Sequence, residues 1–123
     1  LLDTHILLWW LDDNPRLGRR SRSLIADPDT EVMVSLVSLW ETAIKQRIGK
    51  MQSGPADILP RLPELGFNLL PITEGHLLAL ADLGKHHGDP FDHLLLAQAV
   101  VEGAAIITAD RALPLYGVRC IPA

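Results

Sequence analysis

The sequence predicts an α/β fold built on a mostly parallel sheet with helices covering both faces. Two observations lead there: short apolar runs alternate with helical patterns along the chain, and Leu69-Leu70 and Ile106-Ile107 are apolar at successive positions, as strands buried on both faces must be. No repeat, linker or low-complexity stretch interrupts the pattern. A chain of 123 residues with 48% hydrophobic residues suffices for one core and is short for two, so one domain over 1–123 is expected.

Taken in order, Leu1-Leu2 reads as a strand remnant ending at Asp3, and a start at leucine leads us to expect that a few strand residues precede it. His5 to Leu11 follows as a helix too apolar to be exposed all round. Asn14 can cap and Pro15 suits a first helical position, which predicts a second helix from Arg16 to Ala26. Glu31 to Val34 is rich in strand formers, and Ser35 to Ile48 has the pattern of a helix closed by Gly49. After the Gly54-Pro55 turn, Pro60 and Pro63 should keep the helical stretch from Ala56 to Leu65 short or broken. Phe67 to Ile72 is a strand, and Thr73 caps a helix ending near Gly84. Asp89-Pro90-Phe91-Asp92 opens the clearest helix, which runs to Gly103. Ala104 to Thr108 is a short buried strand leading to Asp110, and Val118 to Ile121 is the last.

Composition narrows the function classes. No apolar run reaches the roughly 18 residues that span a bilayer, and the apolar N-terminus lacks the basic segment and cleavage site of a secretory signal, so a cytoplasmic protein without a membrane partner is expected. Cys120 is the one cysteine, which excludes an internal disulfide and gives a thiolate zinc site a single sulfur. The net charge of -4 argues against indiscriminate attraction of nucleic acid. Basic residues are nonetheless clustered: Arg16, Arg19, Arg20 and Arg22 in one segment, Lys45, Arg47 and Lys50 in another. Each cluster is either a solvated helix face or a phosphate-facing patch, and Arg16, Arg19, Arg20, Arg22 and Lys45 are the candidate phosphate contacts. His86 and His87 are adjacent and should point apart on any regular element, while His5, His76 and His93 lack paired ligand spacing, so no histidine is assigned to a metal. Trp9 and Trp10 read first as ordinary core, but adjacent residues on a helix cannot both face the same core, so one of them is also a candidate for a protein interface.

Open parallel sheets bind ligands beyond the carboxyl ends of their strands, where the strand order reverses. Asp3 and Asp110 stand at such strand exits, Asp92 lies in the first turn of a helix feeding the second of those strands, and Glu41 sits mid-helix beside Trp40. Carboxylates gathered in this way suit a hard cation such as Mg²⁺ or Mn²⁺, which would polarise a phosphodiester and help generate hydroxide. Each residue also has a purely structural reading. Asp89 and Asp92 have capping-box spacing, Asp110 can open the turn into Ala112 to Tyr116, Asp3 can cap the first helix, and Glu41 can pair with Lys45 four residues on. What those readings do not account for is that three of the four carboxylates map to one end of one sheet.

At these residues the chain resembles a known family. Leu2-Asp3-Thr4-His5, Ser38-Leu39-Trp40-Glu41, the run from Asp89-Pro90-Phe91-Asp92 to Gln98-Ala99, and Ile107-Thr108-Ala109-Asp110 look like the four motifs of PIN domains in VapC-type toxins, in matching order across nearly the whole chain. The third motif is the most specific. The resemblance implies an α/β/α sandwich, an Mg²⁺- or Mn²⁺-dependent endoribonuclease, metal-site roles for Asp3, Glu41, Asp92 and Asp110, and hydroxyl support from Thr4 and Thr108. It also implies a homodimer and inhibition by a small antitoxin protein. Asp89 adds a fifth acidic candidate. A phosphoacceptor receiver domain would need a lysine at the end of its last core strand, and none follows Lys85. A noncatalytic PIN-like binding module with a degenerate acidic site stays open as the alternative.

Overall fold

The computed structural model describes residues 1–123. At its centre the extended residues Leu1–Asp3 lie between two parallel ladders. Leu2 N donates to the Met33 carbonyl at 3.0 Å on one side, and on the other Ile107 N donates to Leu1 at 2.9 Å and Asp3 N to Ile107 at 3.0 Å. Strand β1 (Met33–Ser35) pairs with β2 (Asn68–Leu70), and β3 (Ile106–Thr108) with β4 (Cys120–Pro122), both parallel. The resulting order is β2, β1, Leu1–Asp3, β3, β4, so the chain leaves its first strand toward one edge and later returns to build the other. The reversal falls beside Asp3.

Successive strand residues point to opposite faces, and the core divides accordingly. Leu2, Val34 and Ile107 join Ile6 and Leu7 of α1 (Thr4–Leu11) and Ile25 of α2 (Arg19–Ala26). Leu1, Leu70 and Ile106 join Leu94, Leu95, Leu96 and Ala99 of α7 (Pro90–Glu102) on the other side. Helix α3 (Leu36–Arg47) contributes Leu39 to the first cluster and Val37 to the second. This is the expected three-layer α/β/α sandwich.

A line of buried polar groups crosses the second layer. Ser35 Oγ accepts from Val37 N at 2.9 Å, capping α3, and donates to Gln98 Oε1. Gln98 Nε2 donates to the Pro71 carbonyl at 3.2 Å and lies 3.3 Å from His76 Nδ1, and His76 Nε2 is 3.3 Å from Glu102. His76 belongs to α6 (Glu74–Ala81), where it also closes a reciprocal cap: its Nδ1 accepts from Thr73 N and its own N donates to Thr73 Oγ1. No buried side-chain polar atom lacks a partner.

Several boundaries differ from expectation for local reasons. The second helix begins at Arg19 rather than Arg16, because Asn14 Oδ1 accepts from Arg16 N in a tight turn and the Arg22 side chain donates back to the Leu17 and Asn14 carbonyls, tying residues 14–17 into a loop. Helix α6 stops at Ala81, short of Gly84. The proline-containing stretch splits into α4 (Pro55–Ile58) and α5 (Arg61–Leu65). The strands are three residues each, shorter than their apolar runs; at the end of β1 the Ser35 cap starts α3 directly at the strand exit. Trp9 and Trp10 are both half-buried and both pack on the first cluster: they flank the fully buried stripe of Ile6 and Leu7, Trp10 against Phe67 at 6.1 Å and Trp9 beneath Arg16. The core reading therefore holds for both, and neither is left over as a free indole for an interface. The exposed tryptophan is Trp40.

Asp89 caps α7, accepting from Phe91 N at 2.9 Å and Asp92 N at 3.3 Å, with Pro90 at the first helical position. Asparagine caps as well as aspartate, so Asp89→Asn should shift unfolding stability in urea by only a few tenths of a kcal/mol, whereas Asp89→Ala should cost about 1 kcal/mol. Equal losses for the two variants would show that the charge of Asp89, and not its cap, is what the fold uses.

Candidate metal centre

The sheet delivers Asp3 to its carboxyl edge as the last residue of the central strand. Asp3 has the extended backbone of an N-cap to α1, yet its side chain makes no cap bond. It turns instead to Thr108 at the end of β3, whose Oγ1 donates to Asp3 Oδ2 at 2.6 Å. Asp3 as a residue is 3% exposed, and burial raises its pKa from the ordinary value; the Thr108 bond opposes the shift and the nearby charge of Glu41 adds to it.

Asp92 arrives from the other direction, in the first turn of α7. Burial raises its pKa to about 6, against a hydrogen bond from His87 that lowers it, and the charges of Asp3, Asp89 and Asp110 push it further up. With Asp89 occupied by backbone N–H groups, Asp92 is the member of the pair that faces the other acids. Asp110 follows β3 on the exposed rim, where its Oδ1 accepts from Ala112 N at 2.8 Å and its own N donates to Thr108 Oγ1 at 3.0 Å. Its turn-forming role is therefore realised, and its carboxylate still lies in the site: ligand atoms of His87, Asp92 and Asp110 fall within 4.8 Å of one another.

Glu41 forms the expected pair with Lys45, at 2.7 Å, but not on the surface, since its side chain is only 5% exposed. It influences Asp3 through its charge, and both Glu41 and Asp3 stand outside the tight His87, Asp92 and Asp110 group. Thr4 is buried; its hydroxyl shares a hydrogen bond with Ser38 at 2.8 Å rather than with an acid, while its backbone N–H bonds the Asp3 carboxylate and favours the charged form.

His87 is the residue that sequence reasoning passed over. Adjacent histidines point apart on a regular element, but residues 82–89 form a loop, and His86 and His87 both converge on Tyr116. His87 Nε2 ends 3.1 Å from Asp92 Oδ2. The available signal was its place five residues before Asp92 in the loop leading into the capped helix. The basic candidates divide. Lys45 is taken by Glu41, and Arg22 by Asp13 at 2.7 Å and by the Leu17 and Asn14 carbonyls. Arg16, Arg19 and Arg20 remain exposed.

The donor set fits a hard divalent cation. Asp3 and Asp92 are buried carboxylates whose charged forms the fold disfavours, Asp110 is close by at the rim, and Lys45 is held by Glu41.

The family model described as PIN domain matches residues 1–118. Ribonuclease VapC22 of Mycobacterium tuberculosis is 29% identical over 118 residues, covering 92% of this chain and 88% of that protein. Among solved structures, VapBC2 from Rickettsia felis bound to a DNA fragment from its promoter superposes with a TM-score of 0.69 at 17% identity, covering 98% of this chain and 96% of that one. VapBC-1 from nontypeable Haemophilus influenzae superposes with a TM-score of 0.67 at 18% identity, covering 98% and 95%.

The raised pKa of Asp92 fixes a pH dependence. Folded Asp92 binds its proton up to about pH 6 and unfolded Asp92 only to 3.8, so the folded chain holds more protons between those values and metal-free stability should fall as pH rises through that window. The loss is at most about 3 kcal/mol and smaller where water screens the site. Asp92→Asn should flatten the profile and raise the metal-free Tm at neutral pH; thermal melts at a series of pH values will read both, and a wild-type profile that rises through the window would contradict the assignment.

Proposed function

Because the chain belongs to the PIN domain family, we propose that it is a single-domain endoribonuclease that hydrolyses RNA phosphodiester bonds with Mg²⁺ or Mn²⁺ and acts as the toxin of a toxin-antitoxin pair. The observation that carries this reading is that Asp92 and Asp110 bring ligand atoms within 4.8 Å of each other at the carboxyl edge of the sheet, with buried Asp3 near enough for its charge to raise the pKa of Asp92. The name of the mycobacterial relative, a ribonuclease, supports the reaction class.

Asp3, Asp92 and Asp110 would hold the cation, with Glu41 bounding the site. When bound, the cation would polarise the scissile phosphate and lower the pKa of an attacking water. The chain's own residues prepare that arrangement. Thr108 fixes the Asp3 carboxylate from one side and the Asp110 backbone from the other. Asp89 holds the start of α7, and with it Asp92, by capping. Glu41 keeps Lys45 in an ion pair rather than among the acids. Arg16, Arg19 and Arg20 supply phosphate contacts at the surface, so RNA binding should weaken with added salt.

An antitoxin partner is supported by the solved neighbours being VapBC assemblies. Trp40, half-exposed, packs edge-on against Phe91 with ring centroids 4.9 Å apart, and these two residues immediately precede Glu41 and Asp92. We assign this aromatic pair, rather than Trp9 and Trp10, to the antitoxin contact. Self-association as a homodimer belongs to the same reading, and the exposed apolar residues Leu77, Leu78, Val100 and Val101 of α6 and α7 are available for it.

The test pairs cleavage with stability. Single-stranded RNA should be cut in Mg²⁺ or Mn²⁺ and left intact in excess chelator, and Mn²⁺ at about 100 times its Kd should stabilise the fold by about 2.7 kcal/mol. Asp92→Asn should lose cleavage while folding normally in the absence of metal. Full cleavage in chelator would overturn metal dependence; no cleavage together with no stabilisation would make the chain a noncatalytic binding module.

A further inference from the structure

Tyr116 lies at the end of a short 3-10 turn, Leu113–Tyr116, and its hydroxyl is the meeting point of the loop before α7. Two backbone groups donate to it, His86 N at 2.9 Å and His87 N at 3.1 Å. Two imidazoles approach it as well, His87 Nδ1 at 2.7 Å and His93 Nε2 at 3.0 Å. The protons can be assigned by counting. A phenolic oxygen has two lone pairs, and the two amides occupy both, so Tyr116 can only donate to an imidazole. His93 Nε2 also lies 2.8 Å from the His87 carbonyl, which can only accept, so that nitrogen carries a hydrogen and cannot receive one from Tyr116. The Tyr116 proton therefore goes to His87 Nδ1. The hydrogen of the neutral His87 ring is then on Nε2, facing Asp92 Oδ2 at 3.1 Å.

We infer that His87 is a positioning residue for Asp92: held by Tyr116 as the neutral Nε2–H tautomer, it donates to Asp92 Oδ2 and leaves the second carboxylate oxygen to a divalent cation. Its nearness to Asp92 and Asp110 makes it look like a ligand, but a nitrogen that carries a hydrogen has no lone pair to offer a metal. The ring acts through Asp92, as outer partners of metal-binding groups do. The inference rests on the cation-site reading above, and it gives Tyr116, distant from His87 and Asp92 in sequence, a defined part in the site.

The experiment combines nitrogen-15 NMR of the imidazole rings in the metal-free chain with calorimetric titration of Mn²⁺. At mildly alkaline pH, His87 should show a protonated-type Nε2 and an unprotonated-type Nδ1, and Tyr116→Phe should convert this to a tautomer mixture. His87→Leu should weaken Mn²⁺ binding by about 10- to 100-fold. His87→Gln, whose amide nitrogen can stand near the Nε2 position and donate, should recover most of it. A predominant Nδ1–H tautomer in the wild type would overturn the inference, as would unchanged Mn²⁺ affinity in His87→Leu or a His87→Gln variant as weak as the leucine one. A wild-type chain that binds no Mn²⁺ would instead overturn the cation site and the inference with it, an outcome distinct from any of these.

Discussion

The structure depends on three residues hydrogen-bonded on both sides. Without Leu1–Asp3, the ladders β1–β2 and β3–β4 are separate pairs; with it they form one sheet whose strand order reverses at its centre. Backbone groups buried this deeply must be paired, so the segment cannot shift along its neighbours without orphaning several donors and acceptors. Its side chains are constrained as tightly. Leu1 and Leu2 enter opposite core clusters, and a slip of one residue would exchange them and turn Asp3 into the apolar interior. The position of the first acid is thus a by-product of how the sheet is joined.

The second acid is placed against its own electrostatic preference. Asp92 is buried near three other carboxylates, and the compensations provided are a hydrogen bond from His87 and a helix N-terminus, whose partial positive charge favours an anion. The division of labour between Asp89 and Asp92 follows from this. A residue at the cap position spends its oxygen on backbone N–H groups, while one at the third helical position is carried around the axis and is free to face the sheet edge. Two aspartates three residues apart therefore end in unlike surroundings, one bound to its own helix and one facing Asp3 and Asp110.

Much of this was legible in the sequence, because it is written in local signals. Apolar runs marked the strands, Ser35, Thr73 and Asp89 marked helix starts, and the chain order placed Asp3, Asp92 and Asp110 at strand or helix boundaries. The failures share one cause: they depend on which side chains meet across the fold. Arg22 reads as a surface charge until its guanidinium is seen closing the loop at Asn14 and Leu17. Glu41 and Lys45 read as a surface pair because spacing carries no information about burial. His87 was dismissed on periodicity, a rule without force in a loop, and its partner Tyr116 is 29 residues away.

The buried line from Ser35 through Gln98 to His76 has a bearing on accuracy rather than on strength. Leu94, Leu95, Leu96 and Ala97 would hold α7 against the sheet, but apolar contact is undirected, and a helix with apolar residues on several sides can rest in more than one rotational setting. Gln98 removes that freedom. Its amide reaches β1 through Ser35 and α6 through His76 in one orientation only, and any other would strand a buried polar group at about 1–3 kcal/mol. Asp92 rides on the same helix six residues earlier, so the glutamine acts as a keyway: it sets the angle of the shaft, and the carboxylate at the far end is aimed by it.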